Sequence, residues 1–195
     1  MELAFYQSSN KSSTLGFLMV VLTVGILTVF LGYLYNAIIT FIPLIYVNFL
    51  VTTFTGVIVG YSVQFTARFF KIRNRARTMI LAFLMGLLTW LFQWVAFIAY
   101  LEYQSNVFDD YLLMMEILVY PDDLWKTILY VNKVGTWAIS DIQFTDYPLW
   151  GIWFMETLLL IGVPTLVIFR MPIIPFSEKL SRWYGKRTLK HQFRM

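Results

Sequence analysis

Long apolar runs separated by short polar segments make up the chain from Leu15 to Arg170. Each of four runs reaches the length of about 20 residues that a helix needs to cross a bilayer. The pattern predicts an all-α polytopic membrane protein with four transmembrane helices. The predicted spans are 15–38, 41–66, 78–101 and 148–170, and the segments between and around them are an N-terminus (1–14), a basic loop (67–77), an acidic segment (102–147) and a basic tail (171–195).

The acidic segment carries apolar residues at helical spacing, which predicts one or two amphipathic interfacial helices. In its second half, Pro121–Asp123 suits a helix N-terminus and Gly135 suits a stop. Such a helix lies on the membrane surface or caps the bundle, with its apolar side against the protein's own spans or a partner. The expected contact residues are Trp125, Ile128, Leu129 and Trp137, and the expected polar side holds Lys126, Asn132 and Lys133.

Composition and charge support a membrane protein and assign its sides. Hydrophobic residues make up 59% of the chain and charged residues 13%, against about a quarter charged in soluble proteins. Basic residues concentrate in 67–77 and 171–195, and acidic residues in 102–147. The positive-inside rule therefore places both termini and the basic loop in the cytoplasm and the acidic segment on the opposite side. The same segregation argues against a nucleic-acid site.

Basic residues beside the predicted spans are expected to bind anionic lipids, each contributing about 1 kcal/mol near the surface. The expected partners are thus the lipid bilayer with its anionic lipids, and another membrane protein or a second copy of the chain. The lipid-facing candidates are Arg68, Lys71, Arg73, Arg75 and Arg77 in the loop and Lys179, Arg182, Lys186 and Arg187 in the tail.

Glu156 is the only formally charged residue well within an apolar run. An acidic side chain at that depth costs several kcal/mol unless it is paired or protonated, so it is the first candidate for a functional site. Counting about 1.5 Å of rise per residue from the span ends places polar residues of other spans near the same level. The sequence predicts an intramembrane polar layer of Glu156, Gln93, Asn48, Thr52 and Asn36.

Three interpretations of this polar layer stay open. The layer could hold the helices together through hydrogen bonds, with a protonated Glu156 donating to Gln93. It could instead form a proton- or cation-linked site in a partly hydrated cavity. It could also contact a polar or basic residue of a partner subunit.

Gly56 and Gly60 form a pair of small residues four positions apart in the second predicted span. Such pairs let membrane helices approach closely. The pair is compatible with packing inside the chain or with a dimer face.

The sequence predicts no catalytic set, cofactor or metal site, so we do not expect an enzyme. The chain has no cysteine and one histidine, His191, in the basic tail. It lacks a His-Glu-x-x-His motif, a glycine-rich phosphate loop and a nucleophile elbow. The acidic pairs Asp109–Asp110 and Asp122–Asp123 lack the ligand spacing of a calcium loop and suit helix starts instead.

Four short motifs carry a resemblance to other proteins. On these motifs the chain resembles a group of uncharacterised bacterial four-span inner-membrane proteins with no established activity. The resemblance implies a bacterial inner (plasma) membrane location and transfers no functional residue. The motifs are Phe41-Ile-Pro-Leu-Ile-Tyr-Val-Asn-Phe-Leu, Lys71-Ile-Arg-Asn, Val134-Gly-Thr-Trp-Ala-Ile and Trp153-Phe-Met-Glu.

The sequence as a whole predicts a non-enzymatic integral membrane component. It would act as an accessory, sensing or scaffold subunit through its outer amphipathic segment and basic tail. The alternative is a homo-oligomeric channel or a proton-linked small transporter that uses Glu156 and Gln93.

Overall fold

The computed structural model describes residues 9–42, 44–103, 119–139 and 142–184 of the 195-residue chain. Within these ranges the protein is helical apart from two short antiparallel strand pairs. The elements are α1 (Thr14–Phe41), α2 (Ile45–Phe69), α3 (Arg75–Tyr103), α4 (Pro121–Val134), β1 (Trp137–Ile139), β2 (Ile142–Phe144), α5 (Asp146–Arg170), β3 (Phe176–Ser177) and β4 (Arg182–Trp183).

Among the described residues, the helices α1, α2, α3 and α5 are long and apolar enough to cross a membrane. The all-helical class with four candidate spans is therefore confirmed. α1 continues to Phe41 and α3 covers Arg75–Tyr103, so both extend past the predicted spans, whereas α2 begins at Ile45, after the predicted start at 41. The reason is that the apolar pattern marks the stretch suited to hydrocarbon, whereas backbone hydrogen bonds determine where each helix begins and ends.

The four long helices form one bundle. α1 packs against α2 and α3, and α5 packs against the same two helices, so α1 and α5 lie at opposite corners. Successive long helices run in opposite directions. One end, which we call the α4 end, gathers the end of α1, the start of α2, the end of α3, the start of α5 and helix α4. The opposite, basic end gathers residues 9–13, 70–74 and 171–184.

Glycines bring the backbones of α2 and α5 together. A Cβ atom built on Gly60 would lie 2.9 Å from the Cβ of Val167 and 3.0 Å from the carbonyl oxygen of Pro164. Gly56 is equally close to Val163, at 3.0 Å. The predicted small-residue pair is thus used inside the chain, and its alternative interpretation as a dimer face is wrong because α5 covers both glycines.

Helix α4 packs on α3 and α5 at the α4 end. Ile128 and Val131 are buried against Trp94, Leu149 and Trp153. The first half of the predicted interfacial segment, 104–118, lies outside the described residues.

The prediction for Asn132 was wrong. This residue was placed on the polar side of α4, yet it is buried, and its side-chain amide donates to the carbonyl oxygen of Asp146 at 3.1 Å. The cause is its spacing, because Asn132 follows Ile128 by four residues and so shares its face of the helix. The amide links the end of α4 to the start of α5.

The sequence pattern did not predict the two strand pairs. β1 and β2 pair through Trp137–Phe144 and Ile139–Ile142, and lead the chain from α4 into α5. β3 and β4 fold the tail back on itself. Ladders of two or three residues are too short to display the period-two alternation by which strands are recognised in a sequence.

Candidate functional site

Four buried polar side chains, Tyr35, Asn48, Thr52 and Glu156, meet where α1, α2 and α5 come together. The side-chain amide nitrogen of Asn48 donates to the Glu156 carboxyl group, and its oxygen accepts from the Tyr35 hydroxyl at 2.8 Å. The Tyr35 hydroxyl also lies 3.0 Å from Oγ1 of Thr52. Asn48 is therefore the centre of a hydrogen-bonded polar cluster that joins three helices.

Helical spacing explains how each helix supplies its part of this polar cluster. Asn48 and Thr52 are four residues apart on α2, and the Thr52 hydroxyl donates to the Asn48 carbonyl oxygen at 2.7 Å. On α5 the buried stripe consists of Leu149, Trp153, Glu156 and Leu160, together with Pro164 and Ile168. Glu156 thus occupies a core-facing position of an otherwise apolar helix face.

A cavity of about 260 Å³ opens beside Glu156 at the α4 end. Gln93 lines it at only 5% exposure, and its side chain forms no hydrogen bond to any residue that the structure describes. Thr136 also lines it, and Oγ1 of Thr136 is buried without a hydrogen-bond partner among the described residues. The cavity therefore places unpaired polar groups next to the carboxyl group.

Aromatic rings form much of the remaining wall of this cavity, which we call the Glu156 cavity. The rings of Trp94 and Trp153 are perpendicular, with centroids 4.9 Å apart. Phe97 stacks edge-on against Trp94 at 5.9 Å, and Tyr100 completes the set of lining rings. The site thus combines one carboxyl group, one free amide and several aromatic surfaces.

The structure brings most of the predicted polar layer together. Glu156, Asn48 and Thr52 belong to the polar cluster, and Gln93 reaches the same cavity as Glu156. The expected hydrogen bond between Glu156 and Gln93 is not formed, because Asn48 is the partner of the carboxyl group. Asn36 is buried on α1, where its Oδ1 has no hydrogen-bond partner among the described residues.

Sequence reasoning missed Tyr35, whose ring looks like one more apolar residue in a long apolar run. A signal for it did exist. Tyr35 lies six residues before the end of α1 and Asn48 lies three residues after the start of α2, so their depths differ by only about 5 Å. A long side chain such as that of tyrosine can span this difference, which makes a hydrogen bond between adjacent helices possible.

The predicted contact residues on α4 divide into two groups. Ile128 is only 3% exposed and belongs to the protein's own core, so its assignment to a partner surface was wrong. Trp125 and Leu129 are 54% and 40% exposed. The side chain of Trp137 lies outside the described residues.

Two of the predicted lipid-facing arginines at the basic end bind the protein itself. Arg73 forms an ion pair with Glu178, and its guanidinium lies 4.2 Å from the centre of the Phe176 ring. Arg75 donates to the carbonyl oxygen of Phe169 in the last turn of α5, where a cation is favourable. These contacts engage both guanidinium groups within the chain, and their expected role toward lipid stays a prediction.

The other basic candidates are placed differently. Lys71, Arg77, Lys179 and Arg182 are exposed, and Arg77 donates to the Ser12 hydroxyl. Arg68 is half-buried, and its carbonyl oxygen accepts from the indole nitrogen of Trp183 at 2.9 Å. Lys186 and Arg187 lie outside the described residues.

The ion pair between Arg73 and Glu178 predicts a pH-dependent attachment of the tail. A hydrogen bond from Ser9 and another from Arg73, with the nearby charge of Lys11, hold the pKa of Glu178 below its usual range. A lowered pKa in the folded state gives stabilisation that is present above the unfolded pKa and is lost as the pH falls through the folded pKa. We expect the tail to stay attached at neutral pH and to detach in acid.

Spin labels on Ala76→Cys and Leu180→Cys measure this attachment, because the chain has no native cysteine. The distance distribution between them should be narrow at neutral pH and broaden below the folded pKa of Glu178. Glu178→Gln should broaden it at every pH, whereas Asp123→Asn, in an ion pair at the α4 end, should leave it unchanged. A distance distribution that changes neither with pH nor in Glu178→Gln contradicts the prediction.

Comparison of the chain with protein-family models, curated proteins and solved structures gives no significant match. The class therefore rests on the fold. Four helices long and apolar enough to cross a bilayer, packed around buried polar side chains, define an integral membrane protein. The resemblance to a bacterial four-span group stays a prediction.

Proposed function

We propose that the protein is a non-enzymatic accessory subunit that contacts another membrane protein through the exposed side of α4. The observation that carries this proposal is that α4 has one side buried against the bundle and another side exposed. Ile128 and Val131 seat the helix on the bundle, while Trp125, Leu129 and Tyr130 point outward from it. A helix held in place by one face offers its other face to a partner.

The chemistry of the exposed side favours a protein over a lipid headgroup. Asp122 and Asp123 are exposed at the start of α4, and like charge disfavours contact with anionic headgroups. The Trp125 ring lies 5.9 Å from the ring of Trp150, which restrains it. A restrained aromatic residue loses little entropy on binding and is typical of interface hot spots.

The distribution of charge between the two ends of the bundle supports one orientation in the membrane. Exposed Lys71, Arg170 and Arg182 lie at the basic end, and exposed Asp122, Asp123 and Asp146 lie at the α4 end. By the positive-inside rule the basic end faces the cytoplasm, and there its free cations bind anionic lipids. The exposed side of α4 then meets its partner on the non-cytoplasmic side of an inner (plasma) membrane.

Site-specific photo-crosslinking in intact cells tests the proposed contact. A benzophenone amino acid at Trp125 should give a discrete adduct with a second polypeptide, because the ring faces the partner. The matched control is Ile26, which is 74% exposed on the side of α1 and should give none. Equal labelling at the two positions, or no protein adduct at Trp125, contradicts the proposal.

The alternative function is a homo-oligomeric channel or proton-linked transporter using Glu156 and Gln93. The Glu156 cavity favours it, since the cavity holds the carboxyl group and the free amide together. Toward the basic end, however, buried apolar side chains fill the bundle, including Val20, Val24, Val59, Val63 and Leu81. A conducting path would therefore have to form between copies of the chain, and the accessory role requires no such assembly.

A further inference from the structure

The charged and polar side chains that line the Glu156 cavity limit the class of ligand that it can bind. Glu156 is the one acidic side chain among the described lining residues, and none of these residues is a lysine or an arginine. A carboxylate has about four acceptor positions, and the hydrogen bond from Asn48 uses one of them. The cavity thus presents a carboxyl group and no basic side chain among its described lining residues, which disfavours an anionic ligand and favours a cationic one.

The aromatic wall of the cavity favours an organic cation over a metal ion as the ligand. Trp94, Phe97 and Trp153 line the cavity and pack against one another at steep angles, so aromatic rings with their electron-rich faces form much of its wall. A weakly hydrated ammonium group is attracted to such faces within about 6 Å of a ring centre. Ca²⁺ and Mg²⁺ instead require about six or more oxygen ligands, and no group of three His, Cys, Asp or Glu side chains that could hold a metal occurs in the described ranges.

The free polar groups fit the rest of such a ligand. Gln93 and Thr136 are largely buried at the cavity without hydrogen-bond partners among the described residues, and each can pair with an N–H or hydroxyl group. The desolvation of the buried Thr136 hydroxyl is uncompensated until something polar enters, and the Gln93 amide faces the open cavity. A purely apolar guest would leave them, and the carboxyl group, unpaired.

The volume also suits a small molecule. The cavity measures about 260 Å³, and an apolar cavity of about 150 Å³ already admits benzene. The geometry points to a binding site for a small organic cation, whose ammonium group lies between Glu156 and the aromatic rings and whose hydrogen-bonding group meets Gln93. The ammonium could belong to a free solute or to a lipid headgroup.

This site is independent of the proposed partner contact. The cavity uses Glu156, Gln93 and Trp153, and the partner surface uses Trp125 and Leu129 on the exposed side of α4. Loss of either function therefore leaves the other measurable.

Binding of choline to the protein in nanodiscs of phosphatidylglycerol, a lipid without an ammonium group, is the direct test. Isothermal titration should show saturable binding of choline. The neutral carbon analogue 3,3-dimethylbutan-1-ol, of nearly the same shape, should bind at least about tenfold more weakly because it lacks the charge. If choline no longer binds when the nanodiscs contain phosphatidylcholine, the site binds the lipid headgroup. If choline still binds, the site binds the free solute.

Two variants assign the binding to the cavity. Glu156→Gln keeps the shape of the side chain and should abolish the preference for choline over the neutral analogue. Gln93→Leu should weaken binding of choline and preserve the preference, and it serves as the reporter if Glu156→Gln fails to fold. Equal affinity for the two probes in the wild type, no binding of choline, or an unchanged preference in folded Glu156→Gln overturns the proposal.

Discussion

Gly86→Ala is expected to destabilise the bundle by about 2 kcal/mol or more, because α3 and α5 touch backbone to backbone at this point. A Cβ on Gly86 would lie 2.6 Å from the carbonyl oxygen of Leu160 and 3.0 Å from the Cα of Ile161. Backbone atoms cannot move aside as a flexible side chain can, so the two helices must separate locally. Separation weakens the packing of their neighbours as well.

Gly162→Ala is the matched control, since a Cβ there meets no atom within 4 Å. Its effect should be neutral or stabilising by up to about 1 kcal/mol, the gain in helix propensity from glycine to alanine. Unfolding by denaturing detergent compares the two variants under identical conditions. If Gly86→Ala is no less stable than Gly162→Ala, the close approach of α3 and α5 is incorrect.

Asn48→Leu should destabilise the protein by about 3 kcal/mol, the cost of removing one partner from a buried charged or polar pair. The substitution removes both the amide nitrogen that donates to Glu156 and the amide oxygen that accepts from the Tyr35 hydroxyl. Tyr35 is 1% exposed and Glu156 is 6% exposed, with access only from the cavity, so neither group can turn to bulk solvent for a replacement bond. The two hydrogen bonds that Asn48 makes in the polar cluster are therefore lost together.

The double variant Asn48→Leu, Glu156→Leu separates this explanation from a simple packing defect. Removing both polar groups removes the uncompensated carboxyl group, so the double variant should be more stable than Asn48→Leu alone. Thr53→Val provides the control on the same helix, because the Thr53 hydroxyl bonds only to the carbonyl oxygen of Phe49 one turn earlier among the described residues. Strictly additive effects of the two leucine substitutions contradict a coupled cluster.

The predictions that succeeded depended on one dimension of the structure, the depth along the membrane normal. Counting residues from the span ends placed Asn48 and Glu156 at one level, and the two side chains are hydrogen-bonded. Depth does not determine which way a side chain faces around its helix. The choice of Asn48 over Gln93 as the partner of Glu156 depends on how the helices are arranged, and this arrangement is set by glycine contacts that resemble ordinary apolar sequence.

The contacts that the sequence analysis missed at the two ends of the bundle have a related cause. Asn132 was assigned by its polarity, although its spacing from Ile128 places it on the buried face, where it bonds to the Asp146 carbonyl oxygen. Arg73 and Arg75 were assigned by their charge, although Glu178 and the end of α5 lie beside them in the folded chain. Neither contact partner is near in sequence, so no local pattern could reveal it.

The most direct test of the proposed accessory role is the mass and composition of the complex released from native membranes in mild detergent. We expect a second membrane polypeptide at fixed stoichiometry, lost in the double variant Trp125→Gln, Leu129→Gln and retained in Ile26→Gln, which changes an even more exposed residue on α1. Native mass spectrometry distinguishes these complexes. A complex that contains only copies of this chain, or a lone chain, in the wild type would contradict the account, and the first result would favour the homo-oligomeric channel or transporter.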